Sequence, residues 1–293
     1  MTVAARFRPA GPYSLALTAR RGTDATRVWR DGILRAIVRG EQAVAAQLTD
    51  GTVEVRGESE AAVERMRWLL ALDADHTEFL QRFKHDRLLR GPIAHLRGMR
   101  ILRVDTVAQA LLRAFCGQLI ESSRARAIER RIVRAVSPKV QDLHAAPDTP
   151  TLARIAPVEY RAHGLHARRG AALVRICRSL ELERLHTLPS AVVEERLLRE
   201  RGFGAWSLGV VVLEGLGRYD RGLVGDLGLV KLAIALQGRW VEAHETAELL
   251  EPYGEWAGLA SVYLMSGFGR GLIPLPDGQR IRKPPHRISS RAA

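Results

Sequence analysis

Residues 197–231, LLRERGFGAWSLGVVVLEGLGRYDRGLVGDLGLVK, restrict the fold more than any other part of the chain. They read as helix, tight turn, helix, loop, and a third helix opened by an acid. Ser190, just after Pro189, is a suitable N-cap for the first helix, whose apolar stripe is Val192, Val193, Leu197 and Leu198. That helix stops at Gly202-Phe203-Gly204, where two glycines permit positive φ and expose successive N–H groups. The second helix begins at Ala205 or Trp206. N–H groups of a turn and of a helix N-terminus that point together form an anion nest suited to phosphate. An ordinary αα-hairpin with a glycine C-cap fits the same turn, so the turn alone does not decide between the two. Asp226 lies 22 residues past Gly204 and opens the apolar run 227–236. Its simplest role is an N-cap. At that place the helix dipole also favours a negative charge.

The partner class follows from charge. The 293 residues carry a formal net charge of +13, which favours polyanions: nucleic acid first, acidic membranes second. There are 41 Arg and four Lys (Lys84, Lys139, Lys231 and Lys283), an excess that codon usage can also produce. Only 5% of residues are aromatic, so the core is mostly aliphatic. Cys116 and Cys177 are the only cysteines, each within an apolar helical pattern, and read as small buried residues. Two isolated cysteines cannot supply the four thiolates of an iron–sulfur cluster, and no Cys/His spacing suggests zinc. No apolar stretch approaches membrane-spanning length and no signal-peptide core is present, so a cytoplasmic, intracellular protein is expected.

The expected fold class is α+β, mostly α. Residues 13–19, 33–39, 44–49 and 52–57 are strand candidates, with a short strand from Arg27 ending at Trp29. Asp31-Gly32 and Asp50-Gly51 are hairpin-turn signals, and Ser59 caps a helix running to about Leu72. Residues 1–72 are thus expected to form an antiparallel sheet domain with one covering helix. Its arginines, among them Arg20, Arg21, Arg27, Arg30, Arg35 and Arg39, are expected mostly on a solvated face. Residues 73–283 read as helical throughout, with a basic loop at 90–103, Asp105-Thr106 capping the next helix, and a proline-bounded linker at 138–150. Residues 284–293 form a basic tail expected to be disordered.

The hairpin and its acid carry a resemblance. Gly202-Phe203-Gly204-Ala205-Trp206-Ser207, followed by residues 225–231 (GDLGLVK), resembles the helix-hairpin-helix (HhH-GPD) DNA glycosylase superfamily, in its 3-methyladenine DNA glycosylase II branch. The family hairpin reads apolar-Pro-Gly-apolar-Gly-x-Trp-Thr-Ala; here Arg201 stands in place of the proline. The family's catalytic aspartate matches Asp226. Residues 108–132 are similar to the family helix that carries a Gly-Gln-Leu segment, and 251–263 to its closing helix. The N-terminal 72 residues resemble the N-terminal domain of the same branch.

The resemblance implies a monofunctional N-glycosylase of base excision repair that flips out and hydrolyses alkylated purines, such as 3-methyladenine, leaving an abasic site. Glycosidic cleavage passes through a sugar with oxocarbenium character, which a carboxylate stabilises while orienting or deprotonating water. A purine already cationic through alkylation leaves without a general acid. The implied parts are Asp226 as catalytic carboxylate and a phosphate-binding hairpin of Arg201, Gly202, Phe203, Gly204, Ala205 and Ser207. Trp206 is implied in the base pocket, Leu119 as the wedge that enters the duplex, and Gln118 beside it filling the gap or touching a base edge. Packing roles stay open for Trp206 and Leu119. Of the C-terminal aromatics Tyr253, Trp256, Tyr263 and Phe268, most read as core and one as a pocket wall.

Bifunctional family members use a hairpin lysine to form an imine. None stands at 204–207 here, and Lys231 is the only nearby amine. No cofactor, no metal among the site residues and no iron–sulfur cluster is expected, apart from the monovalent or divalent cation that family members often hold at the hairpin backbone. The expected partner is double-stranded DNA with damaged bases, met by a monomer without membrane attachment. Three alternatives remain open: a glycosylase for deaminated or oxidised bases, a non-catalytic helix-hairpin-helix DNA-binding protein, and an RNA-binding helical module.

Overall fold

The structure is a computed structural model that describes residues 2–276; the tail at 284–293 lies outside them. Five strands come first: β1 (Val3–Phe7), β2 (Arg27–Arg30), β3 (Ile33–Val38), β4 (Glu41–Gln47) and β5 (Val53–Gly57). They form one antiparallel sheet in the order β1-β5-β4-β3-β2. Between β1 and β2 lies α1 (Leu15–Ala19), and α2 (Glu60–Leu69) covers the sheet. Leu34, Ala36, Val38, Ala43, Ala45, Val53 and Val55 from the strands meet Val63 and Met66 of α2 in a core of their own.

Residues 13–19 are not a strand. Leu15, Thr18 and Ala19 are the buried positions, a helical and not an alternating spacing, and the Ser14 hydroxyl accepts the Leu17 N–H to cap the turn. The edge strand is β1 instead, in register from Val3 opposite Gly57 to Phe7 opposite Val53. Ser59 caps α2 by accepting the Ala62 N–H, as its position suggested.

The helices that follow are α3 (Thr77–Arg82), α4 (Arg90–Leu96), α5 (Val107–Gly117), α6 (Ser122–Val136), α7 (Thr149–Arg154), α8 (Pro157–Ala162), α9 (Ala167–Ser179), α10 (Ser190–Leu198), α11 (Ala205–Val210), α12 (Leu227–Gln237), α13 (Thr246–Leu250) and α14 (Ala257–Phe268). The basic loop expected at 90–103 is largely α4. Pro92 falls in its first turn, where no intrahelical N–H is needed, so the proline starts the helix and does not break it. The linker at 138–150 is pinned, not loose. It holds a two-strand ladder of β6 (Lys139–Val140) and β7 (Leu143–His144), and His144 N–H donates to the Ala25 carbonyl. The closing helix is broken at Gly254 (φ 48°), so a short 3₁₀ turn precedes α14.

Helices α5, α9 and α10–α14 surround a second, larger core that contains Leu111, Phe115, Leu173, Leu197, Leu229 and Tyr263. The seam between the two cores is polar and rich in arginine. Arg100 donates to the Ala10 and Pro12 carbonyls, and the Arg103 guanidinium to the Trp68 carbonyl. Arg65 and the Arg39 N–H both donate to Asp105, which therefore braces the seam and leaves the capping of α5 to Thr106. Arg113 of α5 joins Asp24 of the sheet unit, Glu129 of α6 and Glu214. Burial opposes the Asp24 carboxylate, yet Arg27, Arg113 and the Thr26 donors together hold it below its ordinary range.

Candidate active site

The chain between α10 and α11 makes the expected tight turn, with one change in how its glycines act. Gly202 has φ +88° and needs to be glycine. Gly204 does not: its backbone is extended (φ −118°, ψ −179°) and a Cβ there would meet nothing within 4 Å. Gly204 is the N-cap of α11 and has no side chain to satisfy the first turn, so nothing on the protein caps the helix. Arg201, Gly202, Gly204 and Ala205 are exposed around that N-terminus. Phe203 points inward and packs on Phe115, which anchors the turn. Ser190 is the first residue of α10 and not its cap; Pro189 precedes it, and its hydroxyl donates to Asp220 at 3.1 Å.

The Arg201 carbonyl accepts from Arg175 at 2.9 Å and the Gly202 carbonyl from Gln118 at 2.9 Å. Two hairpin carbonyls are thus engaged within the protein, one of them by a guanidinium. Among the described residues no group of three His, Cys, Asp or Glu side chains is placed to hold a metal.

Asp226 is the N-cap of α12: its Oδ1 accepts the Gly228 N–H at 2.7 Å. Its Oδ2 accepts the indole N–H of Trp206 at 2.9 Å. The loop that delivers Asp226 is tied down on each side. Tyr219 O accepts from Gly258 N–H, Leu223 N–H donates to Ser261, and Gly225 N–H donates to Thr246. The carboxylate is therefore held by two helices and a fastened loop.

Trp206 is half-buried and lies against the end of α5. A Cβ added at Gly117 would come within 2.4 Å of the indole Cη2, so only glycine at 117 lets the ring occupy this place. That requirement was not visible in the sequence, where Gly117 stands only as the first residue of the Gly-Gln-Leu segment. Just beyond it, Gln118 turns its amide toward the hairpin, donating to the Gly202 carbonyl and to Ser207 Oγ at 3.0 Å. Gln118 is thus committed to protein oxygens and not displayed toward a base, and Ser207 is buried, its hydroxyl facing Gln118. Leu119 is 89% exposed, the most exposed large apolar side chain among the described residues, with φ +56°. A core leucine is excluded; a wedge has this exposure.

Tyr253 and Tyr263 are core residues whose hydroxyls bond to Asp86 and to the Leu96 and Met99 carbonyls. Trp256 differs from them. It is half-buried and stacks on Tyr219 at 5.9 Å, with a buried Nε1 that has no partner. Tyr219 carries no motif that singles it out in the sequence. Both cysteines are buried, which pushes their thiols up, Cys177 to about 12, so neither is a nucleophile. Lys231 is exposed on α12.

No protein-family model matches the chain. It is 23% identical to the DNA-3-methyladenine glycosylase of Bacillus subtilis over 240 residues, 78% of this chain and 79% of that one. It is 27% identical over 229 residues to a probable bifunctional transcriptional activator/DNA repair enzyme AlkA of Mycobacterium tuberculosis; that match takes in 75% of this chain and 45% of the longer protein. Among solved structures, the 3-methyladenine DNA-glycosylase from Archaeoglobus fulgidus superposes with a TM-score of 0.80, at 19% identity, over 91% of this chain and 98% of that one.

Proposed function

We infer that this chain is a helix-hairpin-helix DNA glycosylase that releases alkylated purines such as 3-methyladenine from double-stranded DNA and leaves an abasic site. The observation that carries this reading is the Trp206–Asp226 hydrogen bond at the head of α12, with the exposed Leu119 and the uncapped N-terminus of α11 adjoining it. The similarity to alkylpurine glycosylases supports the substrate class.

The proposed steps use only these groups. The hairpin N–H groups receive a backbone phosphate, a contact that positions the protein without reading sequence. Leu119 enters the stack as the nucleotide swings out, at a cost of a few kcal/mol that is least for damaged bases. The base meets the Trp206 indole, whose ring attracts a cationic purine. The C1′–N bond then breaks with its electron pair going to the base, which leaves neutral because alkylation had made it cationic. Asp226 stabilises the positive charge on the sugar and takes a proton from the water that attacks C1′. No lysine stands at 204–207, the stretch matching the hairpin where bifunctional family members carry one, so the strand is left uncut. The protein is proposed to act as a cytoplasmic monomer without a cofactor; no helix among the described residues is long and apolar enough to cross a membrane.

Mass spectrometry of bases freed from methylated, deaminated and oxidised duplexes tests the reading. Release of methylated purines is the expected result. Release of deaminated or oxidised bases alone would redirect the substrate class, and no release from any duplex would leave a DNA-binding protein.

A further inference from the structure

Gln118 stands between the two parts that, on the reading above, touch DNA. Its single amide nitrogen carries two N–H donors, and both cross to the hairpin, one to the Gly202 carbonyl at 2.9 Å and one to Ser207 Oγ at 3.0 Å. The following residue, Leu119, is 89% exposed and sits in the left-handed region at φ +56°, which a leucine adopts against its own sterics. Helix α5 has already ended at Gly117, and among the described residues the Leu119 N–H has no hydrogen-bond partner. The side chain of Gln118 is therefore what fastens this exposed turn to the hairpin, while Ile120 beyond it packs on the larger core.

We propose that Gln118 is a strut coupling phosphate docking at the hairpin to insertion of Leu119, a positioning residue that contacts neither base nor phosphate. The proposal rests on the hairpin and wedge roles given above. Physically, a wedge held in place before contact loses less conformational freedom on insertion. The coupling is reciprocal: a hairpin stiffened by phosphate steadies the wedge, and an inserted wedge steadies the hairpin. The carbonyl of Gly202 is the point of transfer, since the phosphate-facing turn and the strut share that residue. Gln118→Met keeps the length and bulk of the side chain and removes both donors. Gln118→Glu replaces donors by acceptors facing two oxygens, beside a polyanion.

The full chain is tested on a duplex with 2-aminopurine beside a tetrahydrofuran abasic analogue, whose fluorescence reports unstacking, while anisotropy reports affinity for undamaged duplex. In Gln118→Met the unstacking amplitude at saturating protein is expected to fall by about tenfold more than the affinity does, and in Gln118→Glu at least as far. An amplitude matching the parent overturns the strut. So does a parallel fall in amplitude and affinity, which would make Gln118 a brace of the hairpin only. A parent that gives no unstacking signal defeats the wedge role itself and the strut with it, a result distinct from failure in the variant alone. Hydrogen exchange on the unaltered protein needs no variant. Residues 118–120 and 202–207 should gain protection together on binding duplex, and protection confined to 202–207 overturns the coupling.

Discussion

The Trp206 indole donates its N–H to Asp226 Oδ2 at 2.9 Å while Asp226 Oδ1 caps α12 through the Gly228 N–H at 2.7 Å. Each carboxylate oxygen therefore has one fixed donor, and the two donors come from different helices. The plane of the carboxylate is set by where α11 and α12 begin, so the geometry of the site depends on the hairpin that precedes it.

An asparagine at 226 has one oxygen for these two donors. Asp226→Asn should keep the cap or the indole bond but not both, lowering stability by about 1–2 kcal/mol. It also removes the full negative charge, and single-turnover base release should slow on the order of 10²–10³-fold. An unchanged rate would reduce Asp226 to a helix cap.

Trp206→Phe separates aiming from stacking. The ring remains to meet a base and the N–H is gone, so affinity for an abasic duplex should hold within about twofold while single-turnover release drops about tenfold. A rate equal to the parent's would show that the carboxylate needs no second donor.

The two hairpin glycines should respond in opposite ways. Gly202→Val forces a β-branched residue to φ +88° and should lower unfolding free energy by about 1–2 kcal/mol or more. Gly204→Val enters open space with an extended backbone, so the fold should be unaffected while an isopropyl group crowds the N-terminus of α11. Thermal unfolding and anisotropy on duplex DNA distinguish the two; normal binding by Gly204→Val would remove the hairpin from the phosphate contact.

No lysine stands at 204–207, the stretch matching the hairpin where bifunctional family members carry one, so no imine is expected near the sugar. Borohydride added during turnover should trap no protein–DNA adduct, and the strand should break only on later treatment with alkali. A trapped adduct would point to Lys231 and to a lyase step.

Acid should weaken the fold through His76, which is 1% exposed. Burial, and then Arg100 and Arg103, hold its pKa near 3 against an ordinary 6.5. Below about 6.5 the unfolded chain takes up a proton that the folded chain refuses. Stability is then complete above that pH and falls by about 1.4 kcal/mol per unit as pH drops toward 3. His186, held near 4 chiefly by burial, adds to the slope over the upper part of that window. Unfolding midpoints of His76→Phe between pH 6.5 and 4 should vary less than the parent's, and equal slopes would clear His76.

The helical half was legible because its signals are local. A glycine-bounded turn, an acid before an apolar run and the Gly117-Gln118-Leu119 segment each sit where the sequence suggested. What stayed hidden depends on partners far along the chain. Ser14 converts an alternating 13–19 into a helical turn, and β1 is defined only by its pairing with β5. Residues 90–103 read as a basic loop until Pro92 is placed in the first turn of α4. Gly117 reads only as the start of the Gly-Gln-Leu segment until Trp206, from a later helix, lies against it. Gln118 was expected to face DNA, and only the folded hairpin reveals the two oxygens that claim it.

Arg100, Arg103 and Asp105 face the sheet unit, which supplies the carbonyls of Ala10, Pro12 and Trp68, the Arg65 guanidinium and the Arg39 N–H; Arg103 also pairs with Asp73 at 3.4 Å. Severing the chain at residue 73 would strip Arg100 and Asp105 of these partners and leave Arg103 only Asp73, on a face that is buried in the whole protein. The helices are for that reason no detachable cassette. Denaturant should dismantle sheet and helices in a single cooperative step, and a shortened version without the sheet would first have to surrender its charges at 100, 103 and 105.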